Sequence, residues 1–327
     1  MAYGVALLGA GRIGRIHAAN IAAHPELKLT WVSDINAEAA QEIASRYGAR
    51  VGEADAAIAD PAVTGVLVAT STDTHLDLSL RAHRAGKAVF CEKPVDLDLA
   101  RARAAARTLG DAPVFIGFNR RFDPNFAALK AKLVSGEAGV LETLQVTSND
   151  PSPPPVEYVR TSGGLFADMT IHDFDMARFL LGEEPVELFA WGSCLVDPAI
   201  GEFGDIDTAR ILLRTEAGKL AVIANSRRSG FGYDQRVEAF CSRGLIAAGN
   251  MRESTVQIWR EDGACAAPLQ NFFLDRYAAA YRNELDHFAD ILARRATPLV
   301  DFQDGVAALA LAEAAGESAR TGKAVAL

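Results

Sequence analysis

Cysteine is scarce and scattered in this chain of 327 residues. Cys91, Cys194, Cys241 and Cys265 form no CxxC pair. That spacing speaks against a zinc site or a disulfide framework and fits a reducing compartment. Positive charge is also in short supply: 33 lysines and arginines face 42 aspartates and glutamates, leaving a formal charge of −9. An acidic surface gives no electrostatic ground for a nucleic-acid or anionic-lipid partner. Long hydrophobic runs are missing. The longest alanine-rich stretch, residues 305–316, carries Glu313 and reads as a packed helix, so no membrane span is expected. The N-terminus runs directly into Tyr3-Gly-Val-Ala-Leu-Leu-Gly9. It has no basic segment, long apolar run and small-residue cleavage site in succession, so a cytoplasmic protein is expected. No internal repeat or low-complexity tail is visible.

What is present is a large apolar fraction. Half of the residues are hydrophobic and 23% are charged, the profile of a globular protein that buries its core without staples. The length exceeds one typical domain, which predicts two domains sharing a cleft.

Short β-branched runs at 5–8, 29–33, 65–69, 88–91 and 114–117 alternate with helical patterns at 13–23, 37–47, 74–85 and 97–109. Such alternation predicts βαβ units and a doubly wound parallel sheet. After Asn119 the grammar changes. A helix is predicted at 125–135 and a proline-rich loop at 150–156. Strands are predicted at 141–148, 186–194, 207–214, 219–226, 235–241, 244–248 and 255–259, forming an α+β domain with a large, mostly antiparallel sheet. Helices return at 277–293 and 302–320. The domains are therefore read as 1–120 and 121–327.

Gly9-Ala-Gly11-Arg12-Ile13-Gly14 follows a predicted strand and opens a predicted helix, the context in which GxGxxG signals dinucleotide binding. The first glycine permits the tight turn, the second lets backbone approach a pyrophosphate, and the third lets helix and strand pack closely. Asp34 ends the second strand, where a carboxylate accepts from adenosine ribose hydroxyls and repels a 2′-phosphate, favouring NAD. Its alternative is a helix cap. Arg12 pulls the other way, because a guanidinium beside the ribose attracts that phosphate.

Asp168 and His172 stand four residues apart in a segment reaching Leu181, whose apolar Met169, Ala177 and Leu180 predict a helix with both side chains on one face. Asp175 extends that face. The pair reads either as a solvated surface pair or as an acid/base histidine with its carboxylate. Gly163-Gly164 upstream brings backbone close to a neighbour, and further metal ligands at suitable spacing are lacking, which favours the metal-free acid/base reading. Lys93 follows a buried-looking strand at the sheet edge where α/β proteins bind ligands; the alternative is a surface lysine in the turn before Pro94. Arg120 and Arg121 fit cofactor phosphates or an interdomain ion pair.

These segments, with Ala69-Thr-Ser-Thr-Asp-Thr-His75, Glu92-Lys-Pro94, Gly117-Phe-Asn-Arg-Arg-Phe-Asp123 and Gly164-Leu-Phe-Ala-Asp-Met-Thr-Ile-His-Asp173, resemble the glucose-fructose oxidoreductase, inositol dehydrogenase and MocA superfamily over essentially the whole chain. Within it the resemblance is to inositol 2-dehydrogenases. It implies a Rossmann domain followed by a substrate-binding and oligomerisation domain whose exposed sheet face joins subunits, expected here as a homotetramer.

The same resemblance implies a catalytic trio of Lys93, Asp168 and His172, with His172 taking the hydroxyl proton. NAD is the expected cofactor, held by Gly9, Gly11, Arg12, Ile13, Gly14, Asp34, Thr70, Ser71, Thr72, His75, Glu92 and Lys93. The polar run at 70–75 also reads as a capped strand-to-helix turn. A ring polyol or sugar needs donors and acceptors around its rim, and Arg120, Asp150 and Tyr233 are the candidates beside the trio. Phe231 stands where some inositol enzymes carry a second tyrosine. The expected reaction is oxidation of myo-inositol to the 2-keto product, scyllo-inosose. The alternatives are scyllo-inositol or an aldose as substrate and, from another class, a non-catalytic dinucleotide-sensing regulator.

Overall fold

Strand β1 (Tyr3–Leu8) is almost wholly buried, as expected of a run of apolar residues with helices on both faces of its sheet. The computed structural model, which describes residues 2–327, continues with α1 (Arg12–Ala23), β2 (Leu27–Ser33), α2 (Ala37–Tyr47), β3 (Arg50–Val51) and α3 (Ala54–Ala59). Then come β4 (Gly65–Val68), α4 (His75–Arg84), β5 (Ala88–Cys91), α5 (Leu99–Leu109) and β6 (Val114–Ile116). The six strands form one parallel sheet in the order β3-β2-β1-β4-β5-β6. Leu8 pairs with Ser33 and Val68, and Val68 with Cys91. The residues that follow these strands, Gly9, Asp34, Ala69 and Glu92, therefore emerge at the same carboxyl edge, the ligand-binding edge of doubly wound sheets. Local sequence sets the helix starts: Asn36 caps α2 by accepting from Glu38 and Ala39, and Asp98 caps α5 in the same way. The short β3 and α3 were not foreseen, because two to six residues leave too little periodicity to read.

The remaining elements are α6 (Pro124–Ser135), β7 (Leu141–Asn149), α7 (Val156–Val159), α8 (Ile171–Leu181), β8 (Pro185–Ser193), α9 (Pro198–Gly201), β9 (Thr208–Thr215) and β10 (Leu220–Ser226). They are followed by β11 (Asp234–Cys241), β12 (Gly244–Ala248), β13 (Gln257–Arg260), β14 (Gly263–Ala266), α10 (Phe273–Arg276), α11 (Ala278–Leu292), α12 (Phe302–Thr321) and β15 (Val325–Ala326). Seven strands form the second sheet, ordered β12-β11-β7-β10-β9-β8-β15. It is antiparallel except for the β7–β10 pair. Alternate residues of β9 are buried, and α8 packs against β7.

Three expectations are corrected. The chain forms two compact units, and the first contains the residues up to Phe122 together with Ala280–Ala310, so a single boundary after residue 120 does not divide it. The returning segment belongs there for a packing reason. Phe288 stacks edge-on against Phe90 at 5.6 Å, His287 against Phe115 at 5.4 Å, and Ile116 N–H donates to Val300 O at 3.0 Å. Second, the strand expected at 255–259 is β13, which pairs only locally with β14 across a turn. All four of its residues are exposed, so it has no buried face to place in the large sheet. Third, the segment from Asp168 to Leu181 is not one α-helix: a π-turn over Phe166–Thr170 precedes α8. Among the described residues no helix is long and apolar enough to cross a membrane.

Candidate active site

In the first unit the fingerprint glycines are required by backbone geometry. Gly9 has φ +106°, and a Cβ there would stand 2.2 Å from Ala69 O; a Cβ on Gly14 would stand 2.0 Å from Gly9 O. Gly11 is different, because a Cβ on it would meet nothing within 4 Å. It occupies the N-cap of α1, where no side chain caps the helix and the first turn holds no acid. The positive end of the helix dipole therefore has no side-chain cap of its own, an arrangement that fits a dinucleotide pyrophosphate. Arg12 and Ile13 open the helix beside it.

Asp34 is tied into this loop. Ala10 N–H donates to its Oδ2 at 2.5 Å and Asn36 N–H to its Oδ1 at 2.7 Å. Asn36, not Asp34, caps α2, which removes the capping alternative. A carboxylate holds about four acceptor sites, so two backbone donors leave capacity for ribose hydroxyls.

After β4, Thr74 Oγ1 donates to Ser71 O at 2.9 Å and lies 2.7 Å from Thr70 Oγ1, closing a tight turn over Thr72–Thr74. His75, only 2% exposed, lies with Nδ1 2.8 Å from Pro94 O and Nε2 3.1 Å from Thr70 O. Its ring nitrogens are thus spent on the backbone. His75 ties the turn after Lys93 to the loop after β4. Lys93 is half-buried, and the Lys93–Pro94 peptide is cis. Beside it, Glu92 Oε1 accepts from His17 Nε2 at 2.7 Å. Glu284 of α11 is fully buried, and burial together with the Glu92 charge pushes its carboxyl well above the usual carboxylate range.

The Arg-Arg-Phe-Asp segment is largely structural. Arg121 pairs with Asp304 at 2.9 Å inside the first unit, so this ion pair is not the interdomain one expected. Asp123 caps α6 and forms a buried pair with Arg276 at 2.5 Å. Arg120 is 5% exposed within a 3-10 turn.

In the second unit Asp168 sits in the π-turn. Tyr158 Oη donates to Asp168 Oδ1 at 2.8 Å, and the Arg227 guanidinium approaches Oδ2 at 3.3 and 3.4 Å. Gly163 and Gly164 enter the turn with φ +87° and +82°; Asp205 Oδ1 accepts from Leu165 N–H at 3.0 Å, where a Cβ on Gly164 would intrude. The turn is anchored from the sheet: Thr170 Oγ1 donates to Asn225 Oδ1 at 2.7 Å, and Asn225 Nδ2 to Asp173 Oδ2 at 2.8 Å. His172 opens α8 half-buried, whereas Asp175, expected on the same face, is fully buried.

Asp150 and Tyr233 lie next to paired strand ends, since Asn149 pairs with both Ser226 and Asp234. Asp150 N–H donates to Ser226 O at 2.9 Å. Tyr233 is buried edge-on against Tyr277 at 6.0 Å. Asp234 beneath it is buried, which opposes ionisation, yet hydrogen bonds from Arg236, Asn250 and Asn149 hold its carboxyl below the usual range. The structure therefore gathers Asp150, Asp168, His172 and Tyr233 in one unit and Gly9, Asp34, Thr70 and Lys93 in the other.

Sequence reasoning missed Tyr158, Asn225, Arg227, His17 and Glu284. A signal existed for Glu284, which falls on the apolar stripe Tyr281, Leu285 and Phe288 of α11. For Arg227 there was none, because its partner lies 59 residues away.

A phosphate-cradling fingerprint on a parallel sheet, followed by a unit carrying an Asp/His pair on an open mixed sheet, defines a dinucleotide-binding α/β enzyme. Residues 3–118 match the model of an oxidoreductase family with an NAD-binding Rossmann fold, and residues 126–247 match the GFO/IDH/MocA C-terminal domain. The chain belongs to this GFO/IDH/MocA oxidoreductase family. It is 48% identical over 314 residues to the inositol 2-dehydrogenase of Rhizobium meliloti (strain 1021), spanning 95% of each chain. Its fold is similar to that of a myo-inositol dehydrogenase from Corynebacterium glutamicum, with a TM-score of 0.96, 45% identity and coverage of 100% and 99% of the two chains. It is also similar to that of a scyllo-inositol dehydrogenase from Lactobacillus casei with bound NAD(H) and scyllo-inositol, with a TM-score of 0.93, 25% identity and coverage of 100% and 99%.

Proposed function

We propose that this protein oxidises a ring-polyol hydroxyl with NAD, converting myo-inositol to scyllo-inosose. End-to-end similarity to an inositol 2-dehydrogenase is the observation that carries the reading. When bound, NAD supplies the hydride acceptor. The residues that would hold it are Gly9, Gly11, Arg12, Ile13, Gly14 and Asp34, with Thr70, Ser71, Thr72, Glu92 and Lys93 toward the reacting end.

The chain's own groups divide the remaining work. The imidazole of His172 takes the hydroxyl proton, since a neutral imidazole is a competent base near neutral pH. The Lys93 ammonium stabilises alkoxide character as the C–H bond weakens. Asp168, whose oxygens face Tyr158 and Arg227, orients the substrate hydroxyl and His172. Arg120, Asp150 and Tyr233 recognise the remaining hydroxyls. A homotetramer in the cytoplasm completes the reading. The outward face of the second sheet, with Trp191, Leu212, Leu220, Phe240 and Leu245 exposed, is the surface through which subunits would join.

The test is NADH formation from NAD and millimolar myo-inositol, with scyllo-inositol and glucose in parallel. Turnover with myo-inositol supports the assignment, and turnover confined to another polyol replaces the substrate while keeping the chemistry. His172→Ala is expected to bind NAD normally and to lose about 10²- to 10⁴-fold in kcat; near-normal turnover by this variant would remove His172 from the mechanism.

A further inference from the structure

We infer that Arg227 is a positioning residue for Asp168 and that Tyr158 shares this task. The inference rests on the reading of Asp168 as part of the catalytic group, and it adds to that reading the residues that hold it in place.

Arg227 directly follows β10 and is 1% exposed, making it the bulkiest fully buried side chain among the described residues. A guanidinium stays charged in proteins, so burial at this depth calls for a facing anion. Asp168 meets that need. Both terminal nitrogens of Arg227 converge on Oδ2, at 3.3 and 3.4 Å, while Tyr158 Oη holds Oδ1 at 2.8 Å. With a donor on each oxygen, the orientation of the carboxylate plane is set, and what it presents beyond these partners is acceptor capacity.

The backbone beneath Asp168 explains why outside support is needed. A π-turn replaces the regular i to i−4 ladder in this stretch, and such turns recur where function demands a displaced side chain. Thr170 Oγ1 reaches back to Leu165 O at 3.3 Å and across to Asn225 at 2.7 Å. Asn225 lies in β10 and Arg227 at the bend just after it, and both side chains reach the π-turn. A single strand end therefore grips the turn at two points, Asn225 through Thr170 and Arg227 through Asp168. The sheet, not the helix that follows, fixes where the carboxylate points.

The experiment uses the full chain and compares Arg227→Met, Arg227→Lys, Tyr158→Phe and Asp168→Asn with the Asp168→Asn/Arg227→Met and Asp168→Asn/Tyr158→Phe doubles. The readouts are kcat and KM with myo-inositol, the Kd for NAD, and thermal melting. Arg227→Met is expected to lose about 10²-fold in kcat, as misplacement of a reacting group by about 1 Å does, with the NAD Kd unchanged. Arg227→Lys, which restores the charge without the fork, should recover about tenfold of that loss. In the Asp168→Asn background the Arg227 substitution should cost less than about threefold more, because residues acting through one another are non-additive.

Wild-type turnover by Arg227→Met, or fully additive losses in the double variant, overturns the inference. Should Arg227→Met fail to fold, the Tyr158→Phe cycle decides by the same criterion, since Tyr158 is 49% exposed and loses only a hydroxyl. Should Asp168→Asn keep wild-type turnover, the catalytic reading of Asp168 fails instead. The pairing is then judged from melting, where coupled losses uphold it and additive ones overturn it.

Discussion

His17 and Glu92 are 75 residues apart in sequence and joined by a buried hydrogen bond of 2.7 Å. One lies on the helix that starts at the fingerprint glycines, the other directly before Lys93. The bond therefore couples the helix that opens at the fingerprint to the turn that carries Lys93. His17→Ala leaves a buried carboxylate oxygen without its donor, and the expected loss is about 1–3 kcal/mol. Urea unfolding measures it, and KM for NAD should rise in parallel. An unchanged midpoint would mean that the bond contributes nothing to the unit.

Glu284 makes stability depend on pH in a defined direction. Its folded-state carboxyl titrates well above the usual range, first because of burial and second because of the Glu92 charge. The folded chain thus keeps a proton that the unfolded chain releases. Stability is fully present below the unfolded pKa and is lost as pH rises toward the folded value, by up to about 1.4 kcal/mol per pH unit. Glu284→Gln, neutral throughout, should match the parent near pH 4 and unfold at higher urea near pH 8. Equal midpoints at both pH values would contradict this.

Asp34 is the proposed determinant of cofactor choice. Its carboxylate stays in place through the amides of Ala10 and Asn36, so its charge is presented at a fixed position beside the fingerprint. Asp34→Ser keeps a short acceptor and removes the charge that repels a 2′-phosphate. The ratio of kcat/KM for NAD over NADP is expected to fall at least about tenfold. A constant ratio would assign the preference to another group, Arg12 being the first to test.

Legibility from sequence followed range. The βαβ alternation and the fingerprint are written within a few residues of where they act, and the structure contains both. The strand at 255–259 was misplaced because alternation predicts extension but not partners, and partner choice depended on exposure on both faces. The π-turn was missed because a spacing of four fits an α-helix as well as a wider turn.

By itself the sequence determined the class of the fold, the position of the dinucleotide fingerprint and the residue types able to move a proton, because hydrophobic period, glycine geometry and side-chain chemistry are local properties. Tertiary structure alone decided that residues 280–310 rejoin the first unit, that Arg121 pairs with Asp304, that burial raises the Glu284 carboxyl and that Arg227 pairs with Asp168. Each of these depends on which distant groups share a buried space. Only there, away from water, do a charge and its partner become strong enough to fix a side chain in place.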